Sequence, residues 1–126
     1  ATDTRISFLS FIGSAKVGWY LRSKLPPGTR CALEHGGAAP VIVDQSAALT
    51  KAIPALVKGG YYHAGQVCVS VQRIFVHAKI SQQFLQEFVQ QVQLLRVGDP
   101  LLKETEVGPL IHPRETERVA SWIDEA

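Results

Sequence analysis

Cys68 is the side chain in this sequence with the strongest case for covalent chemistry. It follows a small, turn-prone segment, residues 59–67, and an apolar strand is expected to begin at once after it. Enzymes often mount a nucleophile on a loop that a rigid element holds in place. Free cysteine is also among the most buried residue types, so a structural thiol is the alternative interpretation of Cys68.

Glu34 is a second candidate, because it closes a short apolar run and precedes the glycine pair at residues 36–37. Ligands of α/β sheets bind at the carboxyl ends of the strands, where Glu34 is expected to lie. A carboxylate in such a place can serve as a general base. Most glutamates are solvated surface residues, and that is the alternative for Glu34.

Gly13 and Ser14 follow a predicted strand and open a predicted helix. Backbone amides at a helix N-terminus bind phosphate, and a glycine lets the ligand approach closely. A simple capping role explains the same pair equally well. The full glycine fingerprint of dinucleotide-binding folds, G-x-G-x-x-G, is absent.

Charge and hydropathy exclude two classes of partner. The net charge is +2, and the lysines and arginines are scattered rather than grouped into a stripe. Nucleic-acid-binding surfaces carry such a stripe, so no nucleic acid partner is predicted. No apolar run approaches the length of a membrane span, and no membrane partner is predicted.

The cysteines and histidines do not indicate a metal site. Cys31 and Cys68 are the two cysteines, and their separation fits neither a disulfide framework nor a zinc spacing. A reducing cytoplasmic location is therefore expected. The histidines lack metal-like spacing and are interpreted as surface or turn residues; they are His35, His63, His77 and His112.

Strand and helix signals alternate in the first third of the chain. Residues 6–12 predict a strand, and Ser14 is placed to cap a helix that runs to about Lys24. Residues 30–33 predict a second strand, which ends at Glu34. A strand–helix–strand unit is the repeating piece of a parallel α/β sheet.

The middle of the chain continues this pattern. Residues 39–44 and 73–77 predict two more strands. Ser46 is expected to cap a helix between them that runs to about Lys58. Pro54 lies inside that helix, and we expect a kink or two shorter helices there because proline removes a hydrogen bond.

Two amphipathic helices are predicted in the last third. Ser81 begins the first, which residues 98–100 should end, and Pro113 begins the second. The first helix carries an apolar stripe made of Phe84, Leu85, Phe88, Val89, Val92 and Leu95. The predicted fold class is α/β, with alternating strands and helices in parallel-sheet pieces.

Three motifs, in this order, resemble those of the NAD(P)-dependent aldehyde dehydrogenase family. Residues 11–18, FIGSAKVG, resemble its cofactor loop and helix start. Residues 33–37, LEHGG, followed by the apolar strand, resemble its glutamate signature. Residues 65–68, GQVC, with Arg73 downstream, resemble its catalytic cysteine signature. The resemblance covers essentially the whole chain and implies a truncated aldehyde dehydrogenase fold.

The resemblance also implies site roles. Cys68 would be the nucleophile that attacks an aldehyde, and Glu34 the base that activates water. The product would be a carboxylic acid, released after a thiohemiacetal and a thioester on Cys68. The cofactor, NAD or NADP, is expected at Ile12, Gly13, Ser14, Val17 and Gly36.

The sequence departs from the family pattern at four places. His35 stands beside Glu34 where leucine is usual, and Ala38-Ala39 replace the commoner lysine-asparagine type pair after the glycines. Ile12 replaces a usual threonine near the cofactor, and Pro54 is unexpected in its helix. These departures remove no catalytic group. They leave the choice of aldehyde, and of NAD or NADP, open.

Two other functions fit the same residues. A non-catalytic nucleotide-binding or assembly module would keep Gly13 and Ser14 and would not need Cys68. An acylating enzyme would pass the acyl group to coenzyme A instead of water. Glu34 favours the hydrolytic enzyme, because acylating relatives need that base less.

The resemblance implies a division into two parts. Residues 1–35 would be the C-terminal part of a dinucleotide-binding domain, and residues 36–126 the N-terminal part of the catalytic domain. The chain would then be a middle piece of an intact enzyme and inactive alone. Such a piece leaves sheet edges and apolar helix faces uncovered, so a homo-oligomer is expected.

Overall fold

Strands and helices alternate along the chain in the computed structural model, which describes all residues 1–126. The chain divides into two compact units, Ala1–Gly37 and Ala38–Ala126. Each unit contains one pair of parallel strands. The predicted α/β class with parallel-sheet pieces is confirmed.

The first unit is a single strand–helix–strand motif. It consists of β1 (Phe8–Ile12), α1 (Ala15–Ser23) and β2 (Arg30–Glu34). The two strands run parallel, from the pair Phe8–Arg30 to the pair Ile12–Glu34. Parallel strands need a crossover between them, and α1 supplies it.

Ser14 caps α1 as predicted. Its backbone is extended, with φ −69° and ψ 146°, and its hydroxyl accepts a hydrogen bond from the Val17 amide. The helix ends at Ser23, and the Lys24 amide donates to the carbonyl of Leu21. Ser14 therefore fixes the point at which the chain leaves β1 and becomes helical.

The second unit has a small core on one sheet. Its elements are β3 (Pro40–Val43), α2 (Leu49–Tyr61), β4 (Arg73–Val76), α3 (Ser81–Gln93) and α4 (Pro113–Glu125). Strands β3 and β4 are parallel neighbours, and α2 is the crossover between them. The buried apolar side chains are Val43, Ile53, Leu56, Val57 and Phe84.

The predicted start of α2 was wrong. Ser46 does not cap the helix; its amide and hydroxyl both donate to the Asp44 carboxylate, at 3.0 and 2.6 Å. The helix begins three residues later, at Leu49, and Ala48 provides no side-chain cap. Serine and aspartate form such local turns in competition with a helix start.

Of the two alternatives predicted at Pro54, a kink or two shorter helices, the second was wrong, because the helix continues from Leu49 to Tyr61. Proline at this position leaves only the Thr50 carbonyl, in the first turn, without its helical donor. Ile53, Leu56 and Val57 on either side of it are buried in the core. Their packing holds the helix in one piece.

Helix α3 begins at Ser81 as predicted but ends at Gln93, before the expected Gly98. Only part of its apolar stripe packs against the core. Phe84 is buried and Phe88 stacks on it, with ring centroids 5.5 Å apart. Leu85 and Val89 are 61% and 42% exposed, so the stripe is wider than the core it covers.

Two histidines act as helix caps, a role that the sequence analysis did not assign. His112 Nδ1 accepts a hydrogen bond from the Arg114 amide, and Pro113 is the first residue of α4. His77 Nδ1 accepts from the Lys79 amide in the same way. Both residues replace the usual serine or aspartate cap.

A carboxylate closes the loop after α3. Glu106 Oε2 accepts hydrogen bonds from the backbone amide and from Nε of Arg96, each at 3.2 Å. Next to this contact, Val97 and Val107 form a parallel bridge. These bonds hold the pKa of Glu106 below its ordinary value, and the bond from the Arg96 backbone amide contributes more than the bond from its side chain.

We predict that acid weakens this closure. A lowered pKa in the folded state stabilises the fold at pH values above the ordinary glutamate pKa, and this contribution is lost as the pH falls through the lowered pKa. Glu106→Gln should therefore reduce the free energy of unfolding at pH 7 and make it less dependent on pH below 5. Urea unfolding from about pH 3 to 7 tests this, with Glu104→Gln as the control. The prediction is contradicted if the free energy of unfolding changes with pH in the same way in the parent and in Glu106→Gln.

Candidate active site

The carboxyl ends of β1 and β2 bring two predicted site segments together. Ile12 and Glu34 are partners in the parallel register. The Gly13 amide then donates a hydrogen bond of 3.0 Å to the Glu34 carbonyl. Glu34 is exposed, and it lies at the edge of the sheet where the turn at Gly13 begins.

The N-terminus of α1 offers free hydrogen-bond donors beside that edge. Ser14 satisfies the amides of Val17 and Gly18 through its hydroxyl and its carbonyl. The amides of Ala15 and Lys16 have no partner in the unit, as expected in the first turn of a helix. No acidic residue lies in this turn. The helix start therefore suits an anionic group.

Apolar side chains flank these donors. Ile12 is 77% exposed and Val17 is 45% exposed. A Cβ at Gly13 would lie 2.7 Å from Phe11 Cζ, so glycine keeps the turn tight against the strand. Donors and apolar surface side by side match the mixed character of a nucleotide.

Gly36 is exposed, and a Cβ built there would meet nothing within 4 Å. Packing within the first unit therefore does not require glycine at this position. A backbone without a side chain does permit a close approach from outside.

His35 is not the surface residue that the sequence analysis expected. It is half-buried, and a Cβ on the buried Gly18 of α1 would overlap its Nε2. Its ring meets the edge of Trp19 with the centroids 5.7 Å apart. The buried Nε2 has no hydrogen-bond partner. His35 thus packs α1 against the end of β2 beside Glu34.

In the second unit, Cys68 lies in a tight turn. The Ser70 amide donates to the Val67 carbonyl at 3.0 Å across the turn. Cys68 is exposed and its thiol is free, so it is not a core thiol of this unit. β4 begins at Arg73, where the strand of residues 73–77 was predicted, so it starts five residues after Cys68.

The backbone before this turn is left-handed over three consecutive residues. His63 has φ 48° and ψ 36°, Ala64 has φ 56° and ψ 34°, and Gly65 has φ 74°. Non-glycine residues are disfavoured in this region by roughly 1–2 kcal/mol each. Other contacts must hold the segment.

Gln66 supplies such contacts, and the sequence analysis gave it no role beyond its place in the GQVC motif. Its Oε1 accepts from the Ile111 amide at 2.9 Å. Its Nε2 donates to the His63 carbonyl at 2.9 Å and to the Pro109 carbonyl at 3.4 Å. No local pattern reveals these partners, because two of them are 43 and 45 residues away.

One further feature belongs to the cysteine turn, and another lies next to the left-handed segment. Ser70 is only 3% exposed, and its hydroxyl has no hydrogen-bond partner. A cavity of about 470 Å³ lies beside the left-handed segment, between the ends of α2 and α3, and Tyr61 and Tyr62 form part of its wall. The tyrosine pair therefore forms cleft wall.

The structure thus forms two partial sites. Ile12, Gly13, Ser14 and Glu34 meet at one sheet edge of the first unit, whereas Cys68 belongs to the second unit. No group of three or more histidine, cysteine, aspartate or glutamate side chains is arranged to hold a metal ion. None of the helices has the length and apolar character needed to cross a membrane.

Comparison with known proteins identifies the family. The model of the aldehyde dehydrogenase family matches residues 1–126. A lactaldehyde dehydrogenase of Methanocaldococcus jannaschii is 43% identical over 124 residues, which are 98% of this chain and 27% of that protein. The chain therefore spans about a quarter of the length of the relatives it matches.

Solved structures agree with this match. Glyceraldehyde-3-phosphate dehydrogenase from M. jannaschii, complexed with NADP, superposes with a TM-score of 0.94 at 41% identity, over 99% of this chain and 27% of that one. Betaine aldehyde dehydrogenase from Staphylococcus aureus, in complex with NAD+, gives 0.88 at 32% identity, over 94% and 24%. The resemblance seen in the three sequence motifs is confirmed, and the chain belongs to the aldehyde dehydrogenase family.

Proposed function

We propose that this sequence contributes the catalytic cysteine and the water-activating glutamate of an NAD(P)-dependent aldehyde dehydrogenase. The intact enzyme would be a polypeptide of the relatives' length that contains these residues. The observation that carries the proposal is the exposed, free Cys68 in a turn that long-range hydrogen bonds hold. Family membership along the whole chain supports the reaction class.

Cys68 would perform the covalent step. Its Sγ, as thiolate, forms a bond to the aldehyde carbon, and the carbonyl π electrons move to oxygen to give a thiohemiacetal. The backbone amide of Cys68 can donate a hydrogen bond to that oxygen as the charge develops. After oxidation, Sγ carries the acyl group as a thioester until water removes it.

Glu34 would act in the second half of the reaction. Its carboxylate takes a proton from water, the oxygen attacks the thioester carbon, and the C–S bond breaks to release a carboxylic acid and the thiolate. Glu34 is exposed at the carboxyl end of a parallel strand, where a side chain can reach a bound ligand.

The cofactor would lie at the N-terminus of α1, and the residues there fit it. The unpaired amides of Ala15 and Lys16 suit a pyrophosphate, with Gly13 and Ser14 shaping the turn. Ile12, Val17 and Gly36 supply apolar surface and an open approach. The bound nicotinamide would supply the acceptor for the hydride that the aldehyde carbon loses. Related structures contain NADP or NAD+, and either fits this description.

We also propose the domain assignment that the sequence suggested. Residues 1–35 would complete a dinucleotide-binding domain, and residues 36–126 would begin the catalytic domain. The division of the structure into compact units after Gly37 supports a boundary near the glycine pair. Two free cysteines, Cys31 and Cys68, support a reducing cytoplasmic setting, in which a catalytic thiol stays reduced.

Replacing Cys68 tests the proposal most directly. In the intact enzyme, Cys68→Ser should lower kcat for NAD(P)-dependent aldehyde oxidation by roughly 10⁴-fold or more, because a hydroxyl without a base is a far weaker nucleophile. Formation of reduced nicotinamide, followed by absorbance, measures this. Cys31→Ser is the matched control and should keep its activity. Equal activity of Cys68→Ser and the parent would remove Cys68 from the mechanism.

Replacing Glu34 separates the two halves of the reaction. Glu34→Gln should lower steady-state turnover by about 10²–10⁴-fold, the usual contribution of a general base. A burst of one reduced nicotinamide per site should persist, because thioester formation precedes the step that needs Glu34. Stopped-flow absorbance and mass spectrometry of the acyl-enzyme detect it, and Glu104→Gln serves as the control. Unchanged steady-state turnover would assign deacylation to another base.

Assembly into a homo-oligomer is the remaining part of the proposal. Each sheet has only two strands, and apolar side chains such as Ile42 and Phe75 are 82% and 55% exposed. Such edges and faces favour association. Sedimentation velocity of the 126-residue chain should show species larger than a monomer that grow with concentration. A single monomeric boundary at high concentration would contradict this.

A further inference from the structure

The left-handed segment and the cysteine turn are joined by Gln66. The segment, His63 to Gly65, ends one residue before Gln66, and Cys68 follows two residues after it. The position of Cys68 therefore depends on what keeps this backbone in a disfavoured conformation. The Gln66 amide bonds to the His63 carbonyl, which closes the left-handed turn but anchors it to nothing else.

The Gln66 side chain provides the anchor. Its Oε1 accepts a hydrogen bond from the Ile111 amide, and its Nε2 donates one to the Pro109 carbonyl. Both partners belong to the segment just before α4. The His63 carbonyl takes the second donor of the same amide group. One side chain thus fastens the left-handed turn at one end and the 109–111 segment at the other.

These partners determine the residue type. The Ile111 amide can only donate and the two carbonyls can only accept, so the orientation of the Gln66 amide is fixed by backbone chemistry. Glutamate would keep the acceptor and lose both donors. Leucine would fill similar space and make none of the three bonds.

We propose that Gln66 is a positioning residue for Cys68: its side chain, bonded to His63, Pro109 and Ile111, sets the place of the cysteine turn. The proposal rests on the proposed function, in which Cys68 is the nucleophile. Gln66 acts through the backbone and touches no reacting atom. A misplacement of a reacting group by about 1 Å can lower a rate by about 10²-fold, so the loss should appear in kcat and leave KM little changed.

The first experiment needs no activity. Hydrogen exchange of the 126-residue chain, followed by NMR, should show the Ile111 amide exchanging about fivefold faster in Gln66→Leu, the factor that one ordinary hydrogen bond provides. Gln72→Leu is the matched control, because Gln72 is an exposed glutamine of the same loop. Unchanged exchange in Gln66→Leu would overturn the proposal.

The second experiment uses the intact enzyme. Gln66→Leu should lower kcat by roughly 10²-fold at constant KM, and Gln72→Leu should not. Gln66→Glu should have a lower kcat than the parent at neutral pH. The ratio of its kcat to that of the parent should rise at lower pH, because the protonated carboxyl regains a donor. Faster Ile111 exchange together with an unchanged kcat in Gln66→Leu would overturn the positioning role. If the parent oxidises no aldehyde, the proposed function fails by itself, while the exchange result still decides whether Gln66 holds the loop.

Discussion

The hydrogen bond from the Gly13 amide to the Glu34 carbonyl is the contact on which the first unit depends. It is the last bond of the parallel pairing between β1 and β2, and it forms where both strands end. Because parallel strands finish at the same edge, the pairing brings the turn at Gly13 and Ser14 beside Glu34. The meeting of these residues at one edge is therefore a direct consequence of strand direction, and it requires no side-chain contact between Glu34 and the turn.

The second unit positions Cys68 by different means. Packing of Ile53, Leu56 and Val57 fixes α2 over the sheet, but this core ends before Cys68. From Tyr62 to Ser70 the chain is held by turns, by the side chain of Gln66 and by the burial of Ser70.

Much of this arrangement could be predicted from the sequence, and the failures have physical causes. Periodicity and capping predicted β1, α1 and β2 well, because no neighbouring side chain draws the Ser14 hydroxyl away from its capping hydrogen bond. At α2 the prediction failed because Asp44 captures Ser46, and because buried neighbours outweigh the lost bond at Pro54. Motif spacing found Cys68 and Glu34 as candidates. It could not assign Gln66, since two of the three partners of that side chain lie more than 40 residues away.

His35 shows how one departure from the family pattern changes packing without touching a candidate catalytic group. A leucine at this position would place only carbon against Gly18, whereas the imidazole brings a buried nitrogen without a partner. An unpaired buried polar atom is unfavourable, and the edge contact with Trp19 offsets part of that loss. His35 thus packs the end of β2 against α1 next to Glu34, and its unpaired nitrogen makes that packing less favourable than a leucine would.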